Sequence, residues 1–220
     1  MLLKLDAGIR GKFPGLYARM VHIRGVGIRE SSPELEEFKT SVLAGVASRW
    51  TLDGLKEEPV FRLYRDFFWK IGVDPTKTRP ASEALIRRVL RGNPLPRINT
   101  LVDAYNLASL ETTIPFGAFD LDRMRGELVM REGKAEEKFL GIGMEKPITL
   151  AGGEVVVEDD DRLVAVYPYR DADHSRVTAA TRNVLLMTCG VSGVLDDVLA
   201  KAERVGLGFV TRFNGGSVEV

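Results

Sequence analysis

The sequence predicts an α+β fold, with helices in the N-terminal half packed on a mixed or antiparallel sheet. Apolar residues recur at helical spacing between Leu35 and Tyr105, whereas from Glu127 onward short β-rich runs alternate with glycines and acidic turns. A length of 220 residues, 45% hydrophobic and 28% charged, fits one globular domain, so residues 1–220 are expected to form a single unit.

The first strand is expected over Gly15–Ile23, where side chains alternate and His22 reads as structural. Ser31-Ser32-Pro33-Glu34 supplies an N-cap serine, a first-turn proline and an acid, opening a helix through Leu35, Phe38, Val42 and Val46. A second helix carries Phe61, Tyr64, Phe67, Phe68 and Ile71 as a core stripe and stops at Gly72. A third covers Ser82–Arg91 and stops at Gly92. A fourth holds Ile98, Leu101, Val102 and Tyr105 on one face.

Strands follow at Glu127–Arg131, Glu154–Glu158, Arg162–Tyr167 and Asn183–Cys189, the middle two joined by an Asp159-Asp160-Asp161 turn. The last helix runs through Val194, Leu199 and Val205 to Gly206. A hairpin of Phe209–Phe213 and Ser217–Val220 about Asn214-Gly215-Gly216 closes the chain.

The single Cys189 excludes an internal disulfide and a thiolate zinc site, and no apolar run has the length of a membrane span or signal peptide. A cytoplasmic location and no membrane partner are therefore expected. Lys plus Arg and Asp plus Glu number 31 each, so the chain has no overall bias toward nucleic acid, and DNA is not an expected partner. RNA contact must be local. Arg87, Arg88, Arg91 and Arg97 are the candidates, the competing reading being a solvated helix face.

There is no Walker loop, HExxH, GxSxG or paired CxxC, and Gly141-Ile142-Gly143 does not lead from a strand into a helix, so no cofactor is expected. The segment Tyr167-Pro168-Tyr169-Arg170-Asp171-Ala172-Asp173-His174-Ser175 is richer than a turn requires. In it Arg170 suits a carboxylate, and Asp171 and His174 suit water activation or general base work. Asp171, Asp173 and His174 are too close together to ligate one metal comfortably, and no metal is expected. Asp103 and Asn106, three apart on a helix, are expected to line one pocket, with Asn106 the better site candidate.

The longest pattern is Ile98-Asn99-Thr100-Leu101-Val102-Asp103-Ala104-Tyr105-Asn106-Leu107, followed by Ile114-Pro115-Phe116-Gly117-Ala118-Phe119-Asp120-Leu121-Asp122. With Arg88–Gly92 and Thr181–Leu186 it resembles the B3/B4-type tRNA-binding and editing domain of the phenylalanyl-tRNA synthetase β subunit, and it is also similar to free-standing relatives of that domain. The resemblance implies a helix, a proline turn and an extended run lining one pocket. That pocket would accept the aminoacylated end of tRNA and hydrolyse a wrongly attached amino acid, tyrosine in the synthetase.

Asn106, Phe116, Gly117, Ala118, Tyr169, Arg170 and Met187 are then the substrate-binding candidates, and Asp171 and His174 the catalytic ones. Gly117 and Met187 stand where the family has a histidine and a glutamate, which implies an apolar, roomier wall and no preference for tyrosine over phenylalanine. The alternative is a non-catalytic module binding a small amino-acid-like ligand or a protein partner. A basic rim around the pocket favours tRNA, and a neutral closed pocket favours the small ligand.

Overall fold

The computed structural model describes residues 3–219. The chain opens with β1 (Leu3–Leu5) and α1 (Ala7–Lys12), which the sequence pattern does not reveal, followed by β2 (Ala18–Arg24). The expected strand start at Gly15 is a turn instead, since Gly15 takes a positive φ of 77°.

Next come α2 (Pro33–Arg49), α3 (Gly54–Glu57), α4 (Pro59–Lys70), α5 (Ala81–Leu90) and α6 (Thr100–Thr112). The α2 start follows its sequence signature, with the Ser32 hydroxyl accepting the Leu35 N–H and Pro33 in the first turn. The α4 aromatics Phe61, Tyr64, Phe67 and Phe68 are buried, as expected of a core stripe.

The fourth helix starts later than its periodicity suggests. The Asn99 side chain accepts from Leu101 N at 3.1 Å and Val102 N at 2.9 Å, and this cap leaves Ile98 outside the helix, 55% exposed. Along α6 Leu101, Ala104, Leu107, Ala108 and Leu110 are all fully buried, so the helix is surrounded by protein.

The second half alternates short strands: β3 (Phe116–Asp120), β4 (Leu128–Glu132), β5 (Lys138–Phe139), β6 (Ile148–Thr149), β7 (Val155–Glu158), β8 (Leu163–Val166), β9 (Arg170–Asp171) and β10 (Asn183–Cys189). The Asp159 turn joins β7 to β8, its Oδ1 accepting from Asp161 N and Arg162 N at 2.9 Å each. With β11 (Ser217–Glu219), the strands form a mixed sheet ordered β1-β4-β7-β8-β9, an antiparallel sheet ordered β11-β2-β10-β3, and the small pair β5-β6. In the first, β1 and β4 run parallel. One hydrophobic core links the helices to both larger sheets.

The C-terminus corrects the expected hairpin. Helix α7 runs Asp196–Asn214, straight through Gly206 and through Phe209–Phe213, and β11 (Ser217–Glu219) pairs with β2 instead. Val220 lies outside the described residues. Gly206 is no helix stop: a Cβ there would stand 2.4 Å from Phe116 Cε1, so glycine permits the helix to lie on that ring. Phe209 and Phe213 face Phe38 with ring centroids at 4.8 and 5.3 Å, a burial that outweighs their strand propensity.

Candidate functional site

A cavity of about 180 Å³ lies where α6, the two larger sheets and the start of α5 meet. Helix α6 contributes Tyr105 and Asn106, β3 Phe116 and Gly117, and β10 Met187 and Cys189. Tyr169, Arg170 and Asp171 come from the β8–β9 turn and β9. Gly117 and Met187 are direct antiparallel partners, which puts them on the same face. Ala118, the next residue of β3, alternates away from Gly117 and does not line the cavity.

The wall at Gly117 is not left apolar, contrary to the expectation from its sequence neighbours. A Cβ at Gly117 would stand 3.2 Å from Asp171 Oδ2 and 3.3 Å from Oδ1, with Met187 Cε at 3.4 Å. The carboxylate of β9 therefore fills the space that a side chain at 117 would take. Burial pushes the Asp171 carboxyl up to about 7, against the opposing pull of the Arg170 guanidinium. Arg170 spends a hydrogen bond elsewhere, donating Nη1 to the Ile142 carbonyl at 3.2 Å. Burial also raises Tyr105 and Cys189, and the Asp171 charge adds to both.

Beside the cavity lies a cleft of about 490 Å³ lined by Lys77, Arg79, Arg87, Arg88 and Arg91 with no carboxylate among its lining residues. Ala81 and Asn106 line both spaces, so the cleft adjoins the cavity. Its cations come from the 77–80 loop and from α5 and the turn after it. Arg87 is held at 2.6 Å by buried Glu83, and Arg88 donates to the Pro94 carbonyl.

The B3/4 domain family model matches residues 63–207, more than half of the chain and all of the cavity. The chain belongs to the B3/4 domain family.

Relatives of this B3/4 chain include the phenylalanine–tRNA ligase β subunit of Xanthomonas campestris pv. campestris strain 8004, 35% identical over 82% of this chain and 23% of that protein. The corresponding subunit of Psychrobacter arcticus is 32% identical over 57% of this chain and 15% of that protein. The chain thus spans less than a quarter of the length of these relatives. An N-terminal fragment of the phenylalanyl-tRNA synthetase β subunit from Pyrococcus horikoshii superposes with a TM-score of 0.49 at 14% identity, over 98% of this chain and 49% of that one.

Within this B3/4 chain the polar segment after β8 divides. Arg170 and Asp171 reach the cavity, but a 3-10 turn at Asp173–Ser175 carries His174 away, where its Nε2 donates to the Leu163 carbonyl at 2.9 Å. His174 lines two clefts with Arg162 and not the cavity. Asp103 does not share a pocket with Asn106: it is 2% exposed, paired with Lys39 Nζ at 3.0 Å, and accepts the Ile98 N–H at 3.1 Å. Arg97 stands apart from the basic cleft and pairs with Glu36 at 3.2 Å.

Sequence patterning missed Lys77, Arg79, Tyr105 as a cavity residue, and Cys189. Lys77 and Arg79 sit in a Thr-Lys-Thr-Arg-Pro loop whose only signal was its position just before α5. Among the described residues no group of three or more His, Cys, Asp or Glu is placed to hold a metal, and no helix is long and apolar enough to cross a membrane.

Proposed function

We propose that this chain binds the aminoacylated 3′ end of a tRNA and hydrolyses the aminoacyl ester. One observation carries this reading: a carboxylate-free cleft with five basic side chains adjoins a small cavity that holds a carboxyl group of near-neutral pKa. Lys77, Arg79, Arg88 and Arg91 suit the phosphates of a single-stranded end, and charge matching of this kind supplies most of the affinity for RNA. The relatives named phenylalanine–tRNA ligase β subunit bring tRNA to this reading, and with it a cytoplasmic setting.

The cavity admits the amino-acid moiety. Its volume of about 180 Å³ compares with the roughly 150 Å³ that accepts a benzene ring in an engineered core. With the phosphates in the cleft and the amino acid in the cavity, the ester lies near Asn106, which borders both. Asp171 takes a proton from a water as that water attacks the ester carbonyl, and the proton passes to the departing ribose oxygen. A general base works best with a pKa near the working pH. Ester hydrolysis needs no stronger nucleophile, because holding water and carbonyl together supplies much of the rate.

The test is deacylation of a panel of tRNAs charged with different amino acids, measured at one ionic strength. Hydrolysis of at least one well above the spontaneous rate is expected. Free amino-acid ligands that bind with no deacylation of any tRNA would replace this reading with that of a small-ligand module.

A further inference from the structure

Among the described residues Asp171 is the only carboxylate lining the cavity, and none donates a hydrogen bond to its side chain. The groups around it cannot neutralise it. Tyr105 from α6, Tyr169 from the β8–β9 turn and Cys189 from β10 are all held in their neutral forms, each pushed up by burial. Arg170, the one nearby cation, lies on the same strand, is exposed, and donates to the Ile142 carbonyl. A partly buried carboxylate left in this state takes up either a proton or a cation from outside. The other lining groups favour a cation, because the aromatic residues Tyr105 and Tyr169 border the same small space and aromatic rings attract an ammonium.

We infer that the cavity holds an ammonium group of its ligand against the Asp171 carboxylate, so that free amino-acid esters are accepted and N-acylated ones are refused. The inference rests on the aminoacyl-ester reading above and names the feature by which that site recognises its substrate. Acylation removes the charge and also adds bulk. The bulk has no room beside Gly117, where the carboxylate oxygens already stand within 3.3 Å of a Cβ position.

Binding has a proton balance. In the empty cavity below about pH 7 the carboxyl holds its proton. An arriving ammonium favours the ionised form, and the proton leaves to solvent. The ligand thereby holds the carboxylate in its ionised form.

The experiment is calorimetric titration of the full chain at about pH 6, in two buffers of different ionisation enthalpy, which reads both affinity and proton release. The probes are L-phenylalaninamide, N-acetyl-L-phenylalaninamide and Nα-acetyl-L-lysinamide. Phenylalaninamide is expected to bind with release approaching one proton per ligand, and its acetylated form at least about tenfold more weakly with no release. Asp171→Asn, which keeps the shape and has no protein partner to lose, is expected to abolish the proton release and weaken phenylalaninamide to the level of its acetylated form. Nα-acetyl-L-lysinamide keeps only a side-chain ammonium. If it binds with proton release while N-acetyl-L-phenylalaninamide does not, Asp171 reads a side-chain ammonium and the refusal of N-acylated ligands is overturned.

Equal binding of phenylalaninamide and its acetylated form without proton release overturns the inference, as does failure of all three probes to bind. Deacylation separates this inference from the reading beneath it. Hydrolysis of N-acetylaminoacyl-tRNA as fast as aminoacyl-tRNA overturns ammonium recognition and leaves the hydrolase standing. Ammonium-linked binding with no deacylation upholds the recognition and removes the hydrolase.

Discussion

Asp171 Oδ2 stands 3.2 Å from the position a Cβ on Gly117 would occupy, so a carboxylate from one sheet rests in the space left by a missing side chain on the other. The register makes this possible. Gly117 faces Met187 across the β3–β10 ladder, and β9 brings Asp171 over that pair from the neighbouring sheet. Replacing Gly117 with alanine should therefore displace the carboxylate rather than the backbone. Deacylation is expected to fall about tenfold or more, with a loss of stability near 1 kcal/mol, the cost of mild overpacking. Unchanged kinetics in a folded Gly117→Ala protein would remove Asp171 from the reaction.

Asp171 also makes stability depend on pH in an unusual direction. The folded protein keeps the Asp171 proton to about 7, whereas the ordinary value is 3.8, so between these pH values the folded state binds more protons than the unfolded one. Stability contributed by this group is thus present below the unfolded value and lost as pH rises toward the folded one. The isosteric Asp171→Asn variant should match the wild type near the acid end of that window and melt a few degrees higher above it, at a cost of about a hundredfold or more in deacylation. Melting curves across the window, with the ligand absent, are the check.

Charge reversal in the cleft should separate RNA binding from amino-acid binding. Lys77→Glu with Arg91→Glu, on exposed side chains that make no ion pair with a buried acid, is expected to weaken tRNA binding and flatten its salt dependence by about two ions. Binding of phenylalaninamide should be unaffected. If tRNA affinity and its salt slope both survive, the RNA path lies elsewhere on the surface.

His174 is expected to be dispensable for chemistry. Its ring is tied to the Leu163 carbonyl and lines clefts on a different part of the surface from the cavity. His174→Ala should leave deacylation within about threefold of wild type while costing about 1 kcal/mol for the lost hydrogen bond. A loss of activity as large as that of Asp171→Asn would instead link the 3-10 turn to catalysis.

Much of the frame was legible in the sequence because its signals are local. Ser32-Pro33, the α4 aromatics and the Asp159 turn each act through neighbours a few residues away, and β10 falls on Asn183–Cys189 as the β-rich run suggests. The segment from Asn99 to Asp120 combined local periodicity with a family pattern, and its residues Asn106 and Gly117 border one cavity. What sequence could not convey is contact between distant segments. Gly206 reads as a helix stop until Phe116 lies beneath it, and His174 and Asp171 read as one cluster until a 3-10 turn parts them. Asp171 over Gly117 joins positions 54 residues apart, and the basic cleft needs Asn106 of α6 brought beside Lys77, Arg79 and α5.

Two glycines on α7 offer a paired test of how the helix supports the cavity. A Cβ at Gly206 would stand 2.4 Å from Cε1 and 2.9 Å from Cζ of Phe116, whereas one at Gly208 would meet nothing within 4 Å. Alanine in a helix interior gains up to about 1 kcal/mol over glycine at either place. At Gly208 nothing opposes that gain, so Gly208→Ala should be slightly more stable with unchanged activity. At Gly206 the methyl drives against the ring of Phe116, a residue only 8% exposed. Overpacking of this kind costs about 1–3 kcal/mol, which exceeds the gain in helix propensity, and a displaced ring shifts the start of β3, whose Gly117 lines the cavity. Gly206→Ala is therefore expected to lose about 1–2 kcal/mol net and to weaken phenylalaninamide binding by about tenfold. Thermal melts and titrations of both variants decide the matter: if Gly206→Ala behaves like Gly208→Ala in both, Phe116 is not wedged by α7 and the helix does not shape the site.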